Sequence, residues 1–226
     1  MRLSGLWVGL ACLAAALLLC ACASSSSSSS SSGPSTSGCQ YASDSLIAVQ
    51  ASVQTETAQQ PTTEQTVGPG QHQSLACGTT VTATGPSAKA IAKFGAQGTC
   101  QLQPFDNQPG SIISRDPTGY LLTLNTGELI CTVPGPIAHP SLVQCPQGSV
   151  VMQPGAQLQM YCVPGSSFVV SVLRGSAQII DEEGHPHAVP AGEKLYFDFH
   201  KGAFEMAKAN QSQLKSIFSR LAAESG

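Results

Sequence analysis

Apolar and polar residues alternate along much of the chain, with apolar side chains at every second position. In an extended strand successive side chains point to opposite faces, so each alternating run predicts a strand with one buried face. The runs that show this pattern are Ile47, Val49, Ala51 and Val53; Tyr120, Leu122 and Leu124; Leu158, Met160 and Cys162; and Phe168, Val170 and Val172.

Glycine and proline separate these runs, as in Pro154-Gly155, Pro164-Gly165 and at Gly175. These residues favour turns because proline presets its backbone angle and glycine tolerates a positive one. The turns recur at intervals of roughly 8 to 12 residues, which is typical of short successive strands. The sequence therefore predicts an all-β domain, a short-stranded roll or sandwich, over residues 39–203.

The C-terminal segment, residues 204–226, has a different period. Leu214, Ile217, Phe218 and Leu221 have the spacing of one face of an α-helix. The favoured interpretation is an amphipathic helix that packs on the β domain. A helix that docks a partner or lies on a membrane is the alternative.

The first 22 residues have the features of an export signal. Arg2 precedes an apolar stretch over residues 6–19, which is short for a membrane span and suits a signal peptide. The sequence Leu19-Cys20-Ala21-Cys22 resembles the bacterial lipoprotein box, and the resemblance implies a lipid on Cys22. Plain secretion and an uncleaved anchor remain open. The Ser-rich residues 23–38 are expected to form a disordered tether.

Charge limits the classes of partner. Charged residues make up 10% of the chain, the formal net charge is −3, and Lys and Arg form no cluster. Nucleic acid is therefore not expected as a partner, because phosphate binding needs concentrated positive charge.

The cysteines after Cys22 suggest disulfides. They are even in number and include no C-x-x-C pair, so zinc and thiol-redox motifs are not indicated. In an oxidising compartment they could form up to three disulfides, and the first pair expected is Cys131 with Cys145, which flank a Pro-rich loop. Buried free thiols are the alternative. The six candidates are Cys39, Cys77, Cys100, Cys131, Cys145 and Cys162.

One dense polar cluster, residues 181–187, lies at a predicted hairpin tip. Its His185 and His187, with Glu193 six residues later, could hold a metal as in a cupin-like β-barrel, and His200 is the remaining histidine candidate. A solvated acidic turn is the favoured interpretation, so no metal or other cofactor is expected. The chain also shows no nucleophile-elbow or phosphate-loop motif, and we expect it not to be an enzyme.

Several motifs, in their order along the chain, resemble the FecR domain, named for the ferric-citrate regulator. The resemblance covers about residues 45–199. The motifs that carry the resemblance are residues 75–81 and 90–102, Leu124 with Gly127-Glu128, Cys145-Pro146 through Gly155 and Leu158, residues 170–179, and residues 189–193.

The resemblance implies a periplasmic β domain that binds another protein or an envelope component. Regulators of this family join such a domain to a cytoplasmic anti-sigma segment through a membrane helix. Here we expect only a signal peptide and a tether before the domain. The predicted function is therefore a non-catalytic, lipid-anchored binding or scaffold domain facing the periplasm or cell surface, with an envelope protein or cell-wall component as partner. The alternatives are a cupin-like metal-binding barrel and an envelope signalling component that acts through a separate partner.

Overall fold

The computed structural model describes residues 44–50, 52–57, 63–75, 79–94, 98–115, 119–133, 135 and 141–226. The predicted signal peptide and tether, and with them Cys22, Cys39 and Cys77, lie outside the described residues. No helix in the described part of the chain is both long and apolar enough to cross a membrane.

Two nine-stranded sheets and one C-terminal helix make up the described structure, which confirms the predicted all-β fold class. The strands of the first sheet are β1 (Asp44–Gln50), β4 (His72–Ser74), β6 (Lys89–Phe94), β7 (Thr99–Gln103), β10 (Gly127–Thr132), β13 (Gln157–Val163), β14 (Ser167–Arg174), β17 (Glu193–Asp198) and β18 (Ala203–Lys208). The strands of the second sheet are β2 (Val53–Thr57), β3 (Thr63–Val67), β5 (Thr79–Ala83), β8 (Gly110–Arg115), β9 (Gly119–Leu124), β11 (Ser141–Cys145), β12 (Gly148–Met152), β15 (Ser176–Ile180) and β16 (Pro186–Pro190). Helix α1 is Gln211–Glu224.

The chain moves repeatedly between the two sheets, often after one antiparallel hairpin. The first sheet has the order β18-β17-β14-β13-β10-β7-β6-β1-β4, and the second has the order β16-β15-β12-β11-β9-β8-β5-β2-β3. Strands β9 and β11 pair in parallel, whereas the other neighbouring strands are antiparallel. One end of each sheet is therefore formed by the last strands that the chain adds to it, β16 and β18.

A single apolar core lies between the sheets. The alternating runs of β13 and β14 supply its inward row, in which Leu158, Met160, Phe168 and Val170 are completely buried. Leu122 of β9 faces them from the second sheet and belongs to the same cluster. The predicted half-buried strands at these positions are confirmed.

Glycine is required where the chain turns close to a neighbouring strand. Gly127 has a φ of 139°, and a Cβ at this position would lie 2.3 Å from the carbonyl oxygen of Gln103. At Gly175, where φ is 67°, an added Cβ would lie 2.9 Å from the Cα of Ala156. Any other side chain would meet both backbone strain and a clash at these two turns.

A disulfide joins Cys100 of β7 to Cys131 of β10, two adjacent strands of the first sheet. The two residues are direct cross-strand partners with their Cα atoms 4.2 Å apart. The predicted pair Cys131–Cys145 is therefore wrong. The physical reason is that Cys145 lies at the end of β11 in the other sheet, whereas Cys131 has Cys100 directly opposite.

Helix α1 covers the outer face of the first sheet. Its Ile217 and Phe218 pack against Ile91 of β6 and Ile130 of β10. The four residues of the predicted apolar stripe are the buried residues of the helix, so packing on the β domain is the interpretation that the structure supports. Asn210 begins the helix by accepting a hydrogen bond from the backbone N–H of Gln213.

Two predicted boundaries need correction. The run Ile47–Val53 is not one strand, because β1 ends at Gln50 and Val53 begins β2 in the other sheet. The C-terminal segment 204–226 is not all helix, because almost all of β18 lies within it. Apolar and polar side chains alternate in β18, which pairs with β17 along the whole length of that strand. The helix starts only after the Asn210 cap.

We expect Phe218→Ala to lower the free energy of unfolding by about 3 kcal/mol, since it removes a buried ring and leaves a cavity between helix and sheet. Urea unfolding followed by circular dichroism measures this loss. Ser216→Ala, on the exposed side of the same helix, is the control and should change the free energy by less than about 0.5 kcal/mol. Equal losses for the two variants would contradict this packing.

Candidate functional site

A cleft of about 570 Å³ lies at the end of the molecule where β16 and β18 form the sheet edges. It is bounded by the turn between β15 and β16, by the hairpin of β17 and β18, and by the turn between β11 and β12. The residues that line it are Gln147, Asp181, Glu182, Glu183, His187, Phe197, Phe199, Gly202, Ala203 and Phe204.

Aromatic rings form the apolar side of the cleft. Phe197 and Phe204 are cross-strand partners in β17 and β18, with ring centroids 5.1 Å apart and an edge-to-face orientation. Phe204 also meets Phe168 of the core at 5.9 Å and His187 of β16 at 4.6 Å. The floor of the cleft is thus the exposed end of the apolar layer between the sheets.

Asp181 organises the acidic side. Its Oδ1 accepts hydrogen bonds from the backbone N–H groups of Glu183 (3.0 Å) and His185 (2.8 Å), which shapes the turn. Its Oδ2 lies 3.0 Å from Nε2 of His187. Because a carboxylate can only accept, Nε2 carries the proton in this contact. The hydrogen bond with His187 is the largest influence that lowers the pKa of Asp181, to about 2.

Glu182 and Glu183 are exposed on the rim of the cleft, and Asp181 is largely covered. Among the described residues that line the cleft, His187 has an imidazole and none is Lys or Arg. The cleft therefore combines an aromatic floor with a negatively charged rim, an arrangement that suits a ligand with a cationic group on an apolar stem.

The predicted cupin-like residues are not brought together as a set. His185 lies on the exposed side of the turn, 3.3 Å from Glu183 and 3.5 Å from Asp181, whereas His187 faces the cleft. Glu193 forms an ion pair with Lys208 across β17 and β18 instead. His200 is exposed in the turn between β17 and β18.

A different trio, Asp181, Glu183 and His185, has ligand atoms within 4.8 Å of one another. Two carboxylates and one imidazole are ligands that a divalent cation can bind. The hydrogen bonds of Asp181 already account for the shape of this turn, and a solvated acidic turn is the interpretation that the sequence favours here.

The predicted hairpin between Ile180 and Val189 is confirmed: β15 ends at Ile180, the turn is residues 181–185, and β16 begins at Pro186. Sequence reasoning missed the aromatic half of the cleft. The alternation of Phe197 and Phe199 was the available signal, but it could not show that the turn at Gln147 lies beside them.

We expect His187→Phe to raise the pKa of Asp181 from about 2 towards its ordinary value of 3.8, because the ring remains but the donor is lost. In the native protein, the pKa of Asp181 is lower in the folded state than in the unfolded state. The ionised carboxylate therefore stabilises the folded hairpin above about pH 4, and this stabilisation is lost as the pH falls towards 2. Carbon-13 NMR titration of the Asp181 carboxyl group measures the shift. His185→Phe is the control, and an equal or larger shift in that variant would contradict the assignment.

The chain matches no known family model and no curated protein sequence. It is similar in fold to a crystal structure described as a "putative anti-sigma factor" from Parabacteroides distasonis ATCC 8503, with 12% identity and a TM-score of 0.50. That match covers 60% of this chain and 63% of the other. A second structure of the same description and organism has 14% identity and a TM-score of 0.40, and the match covers 63% of this chain and 61% of the other. At these identities the likeness concerns the fold alone.

Proposed function

We propose that this chain is a non-catalytic, lipid-anchored FecR-like domain of the bacterial cell envelope that binds another envelope component outside the cytoplasm. The observation that carries the proposal is the cleft between the two edge hairpins. Its floor continues the domain core and its rim is acidic, so it offers a preformed surface with both apolar and electrostatic contacts.

The favoured occupant is a basic segment of an envelope protein. Glu182 and Glu183 would attract Lys or Arg side chains, and Phe197 and Phe204 would contact the apolar stems of those side chains. A cationic group over an aromatic face gains a further electrostatic attraction. A basic cell-wall component would use the same contacts.

The anchoring half of the proposal rests on the sequence. The apolar residues 6–19 end beside the lipoprotein-like box at Cys22, and a Ser-rich stretch separates the box from the β domain. A lipid chain contributes roughly 0.8 kcal/mol for each methylene group that it buries in the bilayer. Attachment at Cys22 would therefore hold the β domain at the membrane.

An envelope signalling component that acts through a separate protein is the second candidate. The fold likeness to the Parabacteroides structure favours it, because that structure is described as a "putative anti-sigma factor". The two candidates share the cleft and differ in the identity of the partner.

We expect Cys22→Ser to abolish incorporation of radiolabelled palmitate into the protein in bacterial cells, because the thiol that carries the lipid is lost. Cys20→Ser is the matched control and should keep the label. Mass spectrometry of the N-terminal peptide shows the acyl group directly. A Cys22→Ser protein that still takes up the label would refute lipidation at this residue.

We expect a photo-reactive amino acid at position 182, introduced into the full chain in bacterial cells, to cross-link one envelope partner. The same group at exposed Ser166, in the turn between β13 and β14, should not. Glu183→Lys should weaken the cross-link about fivefold, corresponding to roughly 1 kcal/mol for a rim charge. Glu56→Lys makes the same charge change on an exposed position of β2 and should have no effect.

Two outcomes would count against the cleft as the binding site. One is an identical cross-linking pattern from positions 182 and 166. The other is an equal response to Glu183→Lys and Glu56→Lys.

A further inference from the structure

Two thiols meet at the boundary between the sheets. Cys145 ends β11 in the second sheet, and Cys162 lies on β13 in the first sheet. The side chain of Cys145 packs against the core cluster that contains Cys162, and each thiol affects the ionisation of the other. Both are free thiols in the structure.

Each thiol is also held by the turn between β11 and β12. Sγ of Cys145 donates to the carbonyl oxygen of Gly148 at 2.9 Å, and Sγ of Cys162 donates to Oε1 of Gln147 at 3.0 Å. Cys162 additionally lies 3.5 Å from the carbonyl oxygen of Asn125. Each sulfur atom is therefore hydrogen-bonded to a residue of the same turn.

We propose that Cys145 and Cys162 form a second disulfide, which joins the two sheets beneath the cleft and releases the side chain of Gln147. Oxidation removes the S–H group of Cys162, so Oε1 of Gln147 loses its donor. Gln147 lines the cleft, and its amide is then available to whatever occupies the cleft. The inference stands without the proposed function, because it depends only on the thiols and their turn.

The surroundings of the two thiols differ in charge and in exposure. The interaction with Cys162 and burial raise the pKa of Cys145, whereas the interaction with Cys145 lowers the pKa of Cys162. Of the two thiols, Cys162 therefore ionises more readily. Cys145 is half-buried and Cys162 is fully buried, so an external oxidant reaches Cys145 first.

The reaction is a thiol–disulfide exchange with an external disulfide, such as oxidised glutathione or a protein disulfide. Cys145, after losing its proton, attacks one sulfur of the oxidant, and the first reduced thiol leaves with a proton. The Cys162 thiolate then attacks Sγ of Cys145 in the mixed disulfide and expels the second thiol, which also takes a proton. The chain loses two protons and two electrons, and the external disulfide is reduced to two thiols.

The test equilibrates the purified full chain with mixtures of reduced and oxidised glutathione and then blocks free thiols with N-ethylmaleimide. Chymotryptic cleavage after Leu158 and Tyr161 places the two cysteines on separate peptides for mass spectrometry. We expect the alkylated forms of both peptides to disappear together as one linked pair of peptides appears. The Cys100–Cys131 disulfide in the same sample serves as the internal reference.

The variant Cys162→Ser should stop at the first step and carry glutathione on Cys145. The variant Cys145→Ser should leave Cys162 without glutathione, because it is buried. Circular dichroism confirms that each variant is folded. Linkage in the wild-type chain is measured independently of both variants.

NMR of the wild-type chain tests the second half of the proposal. The side-chain amide signals of Gln147, identified by their loss in Gln147→Leu, should shift when the Cys145–Cys162 bond forms. Three results would overturn the proposal: alkylation of both thiols at every glutathione ratio, linkage of Cys145 to a different cysteine, or linkage with unchanged Gln147 signals.

Discussion

Face-to-face packing of the two nine-stranded sheets is the constraint on which the rest of the structure depends. Every strand in the middle of a sheet must place an apolar row between the sheets, as Leu158 and Met160 do in β13 and Val170 does in β14. Polar side chains on that row would lose their water without gaining partners. Charged chemistry is therefore confined to turns, outer faces and the ends of the stack, which agrees with a chain in which only 10% of residues are charged.

The cleft follows from the way this packing ends. Strands β16 and β18 are edges of the two sheets, and in the described part of the chain no further strand covers the apolar layer beyond them. An edge strand exposes unpaired backbone groups that invite pairing with another chain. Strand β16 begins and ends with Pro186 and Pro190, which lack a backbone N–H, and β18 places Lys208 against Glu193. Both edges are thus protected against pairing with a strand of another chain, while the ring of Phe204 between them stays accessible.

Local periodicity could be predicted from the sequence, whereas pairing over distance could not. The strands β13 and β14 and the stripe of α1 repeat within a few residues, and the structure confirms them. The disulfide partner of Cys131 is 31 residues away and was set by strand order, which alternation does not encode. Likewise, the sequence pattern placed β18 in the C-terminal helix. Its extended conformation depends on pairing with β17, which the local sequence does not show. The cleft combines three turns that are distant in sequence, so only its acidic turn was predictable.

The turn between β11 and β12 shows why the cleft is part of the domain rather than a feature of mobile loops. A Cβ on Gly148, whose φ is 136°, would lie 2.3 Å from the carbonyl oxygen of Ile180, so this turn fits directly beneath the hairpin of β15 and β16. On its other side the same turn is held by the thiol of Cys162 from the first sheet. Gln147 is therefore positioned by backbone contact from one sheet and by a side chain from the other. Any change in how the sheets are joined at this point must reach the cleft through Gln147.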